Sequence, residues 1–435
     1  MLLEPKQVSE GSTQNGNQCG SAGAQTSRTS TLKVRGTAAW KKFTTNESCI
    51  GLKSEQERGE EIRRAQREQK ELAVFGTTER LSPEELDSRE VWWRNQFEWL
   101  KASGYLLRSR YSPGWVASWK NSDKRCFRSE DSRNLDVGHI IDATRLSDGQ
   151  YVTLKRLSKS AHPHEVDIGL YFSSESLSSQ PANNCVPFYE VLALDDNDTV
   201  VIVMPLLRPY VDPYFDTFGE AVECFGRLFE GLHFMHKHHI AHRDCTSANL
   251  MLDPRNLYPD SFHPMTISLK RDYTGPAKHL TRTQCPPKYY LIDFGLSRRY
   301  DPSDTNPKEE PVFGGDKEVP EFQNSTEPCN PFPTDVFYIG NAIRNDFIQT
   351  KRGFEFMQPL VADMIQADPA KRPTMEEVVA RFDSIRRGLS GRKLRSRVVD
   401  EDEDEFERFT RTISHWTRRI GFVARGVPAI PAPRS

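Results

Sequence analysis

The stretch His242-Arg243-Asp244-Cys245-Thr246-Ser247-Ala248-Asn249, followed by Asp293-Phe294-Gly295, decides the reading of this chain. It places an aspartate at 244, an asparagine at 249 and a second aspartate after the tyrosine-rich segment Tyr289-Tyr290-Leu291-Ile292. Two oxygen donors able to hold Mg²⁺ and one carboxylate able to orient a hydroxyl are the minimum for phosphoryl transfer from ATP. An isolated Asp or Asn is more often a cap or a turn residue. Three at these spacings, one set after a helical pattern and one after a strand, weaken that plainer reading.

Working outward, 435 residues suffice for two or three domains, or for one large domain with tails. The formal charge is −2, from 59 basic and 61 acidic residues, which gives no reason to expect a nucleic-acid partner. The eight cysteines are scattered without a Cys-x-x-Cys pair, as expected of reduced thiols in an intracellular protein, cytoplasmic or nuclear. No secretory signal opens the sequence. The longest apolar run, 200–207, is too short to span a bilayer, so a soluble chain without a transmembrane segment is expected.

Residues 1–80 read as a disordered extension, rich in Ser, Thr, Gly, Gln and Asn, with a charged helix over 53–72 that has too few apolar positions for a coiled-coil seam. At Ser82-Pro83-Glu84-Glu85 an N-cap, a proline and an acidic turn announce a helix carrying Val91, Trp92, Phe97, Trp99 and Leu100. Strands around a Pro113-Gly114 turn are expected over 104–119, and a hairpin over 137–157 turned at Ser147-Asp148-Gly149. A short helix over 164–172 and a second hairpin, 188–194 with 199–206, complete a β-rich part ending at 207. Helical patterns follow over 208–388, led by the apolar face of 219–237. A tail, 389–435, carries an acidic run and the aromatic, basic segment 415–423, expected to dock back onto the domain rather than lie on a membrane. The fold class is α+β, with strands first and helices later.

Over roughly residues 105–388 the chain resembles the eukaryotic protein kinases, as a divergent, fungal-type member, with several motifs in the family's order. The resemblance implies a two-lobed protein-kinase-like fold, with a small antiparallel β-rich lobe and a larger helical one. It implies ATP and Mg²⁺ as cofactors and a protein hydroxyl as acceptor, Ser/Thr ahead of Tyr. Lys155, in Val152-Thr153-Leu154-Lys155, is similar to the lysine that neutralises the α and β phosphates. Glu165 is similar to its helix partner, with Asp167 as competitor. Val203-Met204-Pro205-Leu206-Leu207 resembles the hinge, and Gly138, Ile140, Thr153, Met204, Leu206 and Met251 would line the nucleotide. Asp244 matches the catalytic aspartate, Asn249 the ligand of a second Mg²⁺, and Asp293 the principal metal ligand. Val319-Pro320-Glu321, Asp335-Val336-Phe337-Tyr338-Ile339-Gly340 at the expected start of a central helix, and Arg372 are structural parts, with Glu321 and Arg372 forming a buried ion pair in the family.

Three departures weigh against full activity. Counting back from Lys155 puts Arg133, Leu135 and Gly138 where three glycines would cradle phosphates, so only Gly138 remains. Thr246 stands where Ser/Thr kinases commonly carry a lysine, a loss able to cost on the order of 10²–10³ in rate. An insertion, 254–288, separates the catalytic segment from Asp293 and reads as a surface loop or a docking element. A pseudokinase that binds without turnover is therefore the alternative, and a small-molecule phosphotransferase a weaker third. Arg243 could clamp a phosphorylated residue, with Ser297, Tyr300, Ser303 and Thr305 as candidates. The histidines at 233, 236, 238, 239 and 242 fall at a helix end, where the dipole favours them, rather than in a zinc pattern.

Overall fold

The computed structural model describes residues 82–312, 316, 318–323 and 327–432. The N-terminal extension, the charged segment 53–72 and the boundary at Leu81 lie outside the described residues. The chain is mixed α+β, with a curled antiparallel sheet and helices.

The sheet holds β1 (Tyr105–Leu107), β2 (Ile140–Arg145), β3 (Tyr151–Ser158), β4 (Glu190–Ala193) and β5 (Thr199–Pro205) in the order β1-β2-β3-β5-β4. The β2–β3 hairpin turns where Gly149 takes φ +71° and the Asp148 carboxylate accepts from Gln150 N. Alternation in β3 sends Val152 and Leu154 into one core and Lys155 and Leu157 to the opposite face, where Leu157 joins the second core, while β5 is buried through Val200–Val203, as a central strand must be. Register pairs Ile140 with Lys155 and Thr153 with Met204, which fixes where the lysine leaves the sheet.

Two short helices close one side of this sheet, α1 (Ser88–Asn95) and α2 (Phe97–Ala102). Their Trp93, Phe97 and Leu100 share a core with Leu107, Ile141, Leu154 and Val203. The expected helix start at Ser82 is corrected. Asp87 caps α1 through a capping box with Glu90, and the buried Arg110 guanidinium takes the Pro83 and Glu85 carbonyls at 2.8 and 2.9 Å. Those oxygens are then unavailable to a helical ladder. The strands expected over 104–119 are corrected too. Only β1 forms there, and the rest is short 3₁₀ turns, because Arg108 and Arg110 are drawn into buried ion pairs with Asp142 and Glu90.

The helical part is built on α3 (Glu165–Ser173), α4 (Phe218–Lys237), α5 (Pro331–Ile343), α6 (Met375–Gly388) and α7 (Glu405–Ala424). Helix α4 starts at a Thr217–Glu220 capping box and buries a broad apolar face in the second core, while Glu223, Arg227 and Glu230 pair along its polar stripe. Helix α5 begins before the expected Asp335, because Asn330 caps it and prolines fill its first turn. Short strands β6 (Arg208–Pro209), β8 (Leu250–Leu252) and β9 (Tyr289–Leu291) form a three-stranded sheet, and β7 (Ile240–Ala241) pairs with β10 (Arg298–Arg299). Among the described residues no helix is long and apolar enough to cross a membrane.

The insertion 254–288 is a staple, not a free loop. Its Arg271 meets Asp142 on β2 and stacks on Tyr151, and its His263 ring lies 3.2 Å from both Arg108 and Glu130. At its far end, buried Arg282 donates to Tyr289 Oη and Tyr210 O, and Thr283 to Glu220.

Candidate functional site around Lys155, Asp244 and Asp293

Lys155 stands on a central strand and is 6% exposed. Its ammonium donates to Glu165 Oε1 at 2.5 Å and to Asp293 Oδ1 at 2.9 Å. Of the two candidate acids on α3, Glu165 is the partner. It occupies the first turn of the helix, which aims it at the strand, and Asp167 makes no such contact. Burial pulls the Lys155 pKa down, but the Asp293 and Glu165 charges outweigh it and hold the amine protonated well above its ordinary value. Burial likewise pushes Asp293 up, yet Lys155 beside it keeps that carboxyl ionised far below the usual range. At Glu165 burial dominates and raises the pKa.

Asp293 is placed by its own backbone. It adopts φ +66°, a left-handed conformation costly for a non-glycine residue, and accepts from Gly295 N. The next residue, Phe294, is fully buried between Phe172 on α3, Phe188 and His242, with ring centroids 6.0–6.1 Å away. That aromatic column ties α3, and so Glu165, to the segment that carries Asp293.

The second carboxylate comes from the loop after β7. Asn249 donates its amide to Asp244 O at 2.8 Å and to Asp244 Oδ2 at 2.9 Å, which fixes its side chain and leaves the amide oxygen outside those two bonds. The loop itself hangs on Asp335 of α5, whose oxygens accept His242 N and Arg243 N at 2.7 Å each and the His236 ring at 3.0 Å. Asp346 holds its other end, accepting from Ser247 and Tyr210 at 2.6 Å. Sequence reading gave Asp335 only a place on a helix and missed Asp346, since nothing local marks either as an anchor. Asn249 and Asp293 supply amide and carboxylate oxygens, the donor chemistry a hard cation such as Mg²⁺ prefers. Among the described residues no group of three His, Cys, Asp or Glu side chains could hold a metal, and the His236, His238 and His242 rings are engaged in other bonds.

The residues expected to line a nucleotide come from two sheets. Ile140, Thr153, Met204 and Leu206 are half-buried on or just beyond the sheet, whereas Met251 lies on the separate β8 strand. Gly138 departs furthest. The β1–β2 connection runs over 108–139, folded against α1, and the Gly138 carbonyl accepts the Trp93 indole at 2.9 Å. A Cβ there would stand 2.4 Å from Arg89 Cδ, so the glycine serves close helix packing. Leu135 is buried in the sheet's core, and Arg133 bonds Tyr273 of the insertion. His139, beside Lys155, is pushed down to about 4 by burial and by that cation, and is neutral at pH 7. Two small cavities, one beside Asp216 and His415 and one beside Arg243 and Glu309, hold about 10 Å³ each, room for about one water.

The following segment is already clamped. Arg243, at φ +68°, bonds Leu296 O and Glu310 O and pairs with Glu309 at 3.3 Å. Ser297 is fully buried and donates to His242 O; Ser303 and Thr305 are exposed, and Tyr300 is half-buried. Farther on, Glu321 and Arg372 form a bidentate pair at 2.6–2.7 Å. A scan against protein-family models finds no match, and a search of curated proteins finds none.

Proposed function

We propose that this chain is a divergent member of the eukaryotic protein kinase superfamily, with that family's two-lobed arrangement, and that it transfers the γ-phosphoryl group of ATP to a protein hydroxyl, Ser or Thr ahead of Tyr. The observation that carries this reading is Lys155 held between Glu165 and Asp293, at 2.5 and 2.9 Å. A charged amine fixed there suits the α and β phosphates, and Asp244, steadied by Asn249, suits acceptance of the acceptor's proton. Mg²⁺, when bound by Asn249 and Asp293, supplies neutralisation of the transferring group's charge. The Glu321–Arg372 pair, sealing the segment that would receive a protein, favours a protein acceptor over a small molecule. With radiolabelled ATP, purified protein should label itself or a generic protein substrate, and Asp293→Asn should abolish labelling. Undiminished labelling in that variant sinks the assignment.

One observation favours a second reading, a nucleotide-binding scaffold with little turnover. Arg89 and Trp93 pack on Gly138, where phosphates would need open backbone. A melting shift with Mg-ATP and no turnover would select this alternative.

A further inference from the structure

Helix α7 shows two opposed faces. Its Arg411, His415, Arg418 and Phe422 dock on the body: Arg418 and His415 on Asp216, Arg411 on Asp400 and Glu403 and over the Tyr214 ring. The other face carries Phe406, Phe409, Ile413, Trp416, Ile420 and Val423, each 51–78% exposed. They are six of the twelve large apolar side chains exposed among the described residues, so the stripe is a concentration and not ordinary surface scatter. Their spacing alternates three and four residues without a break, the 3.5-residue repeat of a coiled-coil seam.

We propose that this face pairs with the same face of a second copy of the chain, the two helices running antiparallel. Antiparallel pairing about the centre of the stripe sets Phe406 opposite Val423, Phe409 opposite Ile420 and Ile413 opposite Trp416. Every layer then joins one aromatic to one β-branched side chain, the large-to-small alternation that fills a seam without voids. Such an interface is isologous and closed, as a two-fold dimer requires. Glu405, Thr412 and Arg419 flank the seam on one side and Thr410, Thr417 and Ala424 on the other; antiparallel pairing keeps the two copies of Glu405, and the two of Arg419, at opposite ends of the interface. An aromatic side chain presents about 150–250 Å². Three aromatic and three smaller β-branched side chains on each copy, at the exposures seen, remove at most on the order of 1,000–1,400 Å² from water, at the lower edge of specific interfaces and in keeping with a weak dimer.

A lipid surface fits less well. Arg411 and Arg418 are committed to carboxylates of the body, Arg408 lies by Glu403, and Arg419 stacks on Trp416, so no free cationic belt borders the stripe.

Sedimentation of the full-length protein should show a monomer–dimer equilibrium in the micromolar range. Ile413→Glu with Trp416→Glu should raise the dissociation constant more than about tenfold at unchanged melting temperature, since both side chains already face solvent. Should that pair of changes prevent folding, Ile413→Ser with Ile420→Ser must produce the same weakening. A wild-type chain monomeric at tens of micromolar overturns the proposal, whether or not it binds phosphatidylcholine–phosphatidylserine vesicles. A dimer indifferent to both sets of changes overturns it as well.

Discussion

Lys155 is a buried cation whose two carboxylate partners come from a helix and from a loop, so three parts of the chain meet on one nitrogen. Replacing it with methionine strands Glu165, 1% exposed, without its counter-ion. Removing one partner of a buried pair costs about 3–5 kcal/mol, and urea denaturation of Lys155→Met should show a loss of that order. Asp244→Asn tests chemistry instead of stability. Turnover should drop on the order of 10²–10⁴, the usual value of a positioned acid–base group, while the melting shift with Mg-ATP persists. The candidate residues Asp244, Asn249 and Asp293 could be picked out because they lie in short motifs, and the structure joins Asn249 to Asp244 and Asp293 to Lys155. What anchors them could not be picked out. Asp335 and Asp346 reach the loop across nearly a hundred residues, and their sequence neighbourhoods carry no sign of it.

At the scale of elements, Arg243 already holds a carboxylate, Glu309, from the segment after Asp293. A segment clamped by its own acid has no need of an added phosphate. If the proposed phosphoryl transfer holds, phosphatase treatment should leave labelling unchanged and Glu309→Ala should lower it; phosphatase-sensitive labelling would contradict this. The insertion makes a separate prediction through Asp142, buried between Arg108 and Arg271. Burial pushes its carboxyl up, but the two guanidinium groups outweigh that and hold it at about 2, below its ordinary 3.8. The folded state therefore binds this proton less readily than the unfolded chain. Its stabilisation is complete above about pH 4 and fades as pH falls toward 2. Asp142→Asn should flatten that part of the acid limb in stability measured from pH 5 to pH 2. The β2–β3 hairpin could be read from Ser147-Asp148-Gly149 because a tight turn is local chemistry. The start of α1 could not, since Arg110, far along the chain, takes the carbonyls that would have extended it.

Across the whole molecule, the fold class followed from the change of period, alternation first and helical repeats later. The links between the two cores were hidden, because long polar side chains make them: Arg271, His263 and Arg282 look like solvated residues until their partners are known. Arg271→Ala should raise amide hydrogen exchange in β2 and β3 well before it lowers the melting temperature of the helical part; uniform exchange would argue against a local brace. The bond from Trp93 to the Gly138 carbonyl has a thermodynamic consequence of its own. A nucleotide that requires this backbone to lift can bind only molecules in which it has lifted. Its apparent affinity is the intrinsic one reduced by that fraction, so an open population of about one in a hundred weakens binding about a hundredfold. If the proposed nucleotide binding holds, whatever loosens α1 would then sharpen affinity without any change at the residues proposed to meet the phosphates.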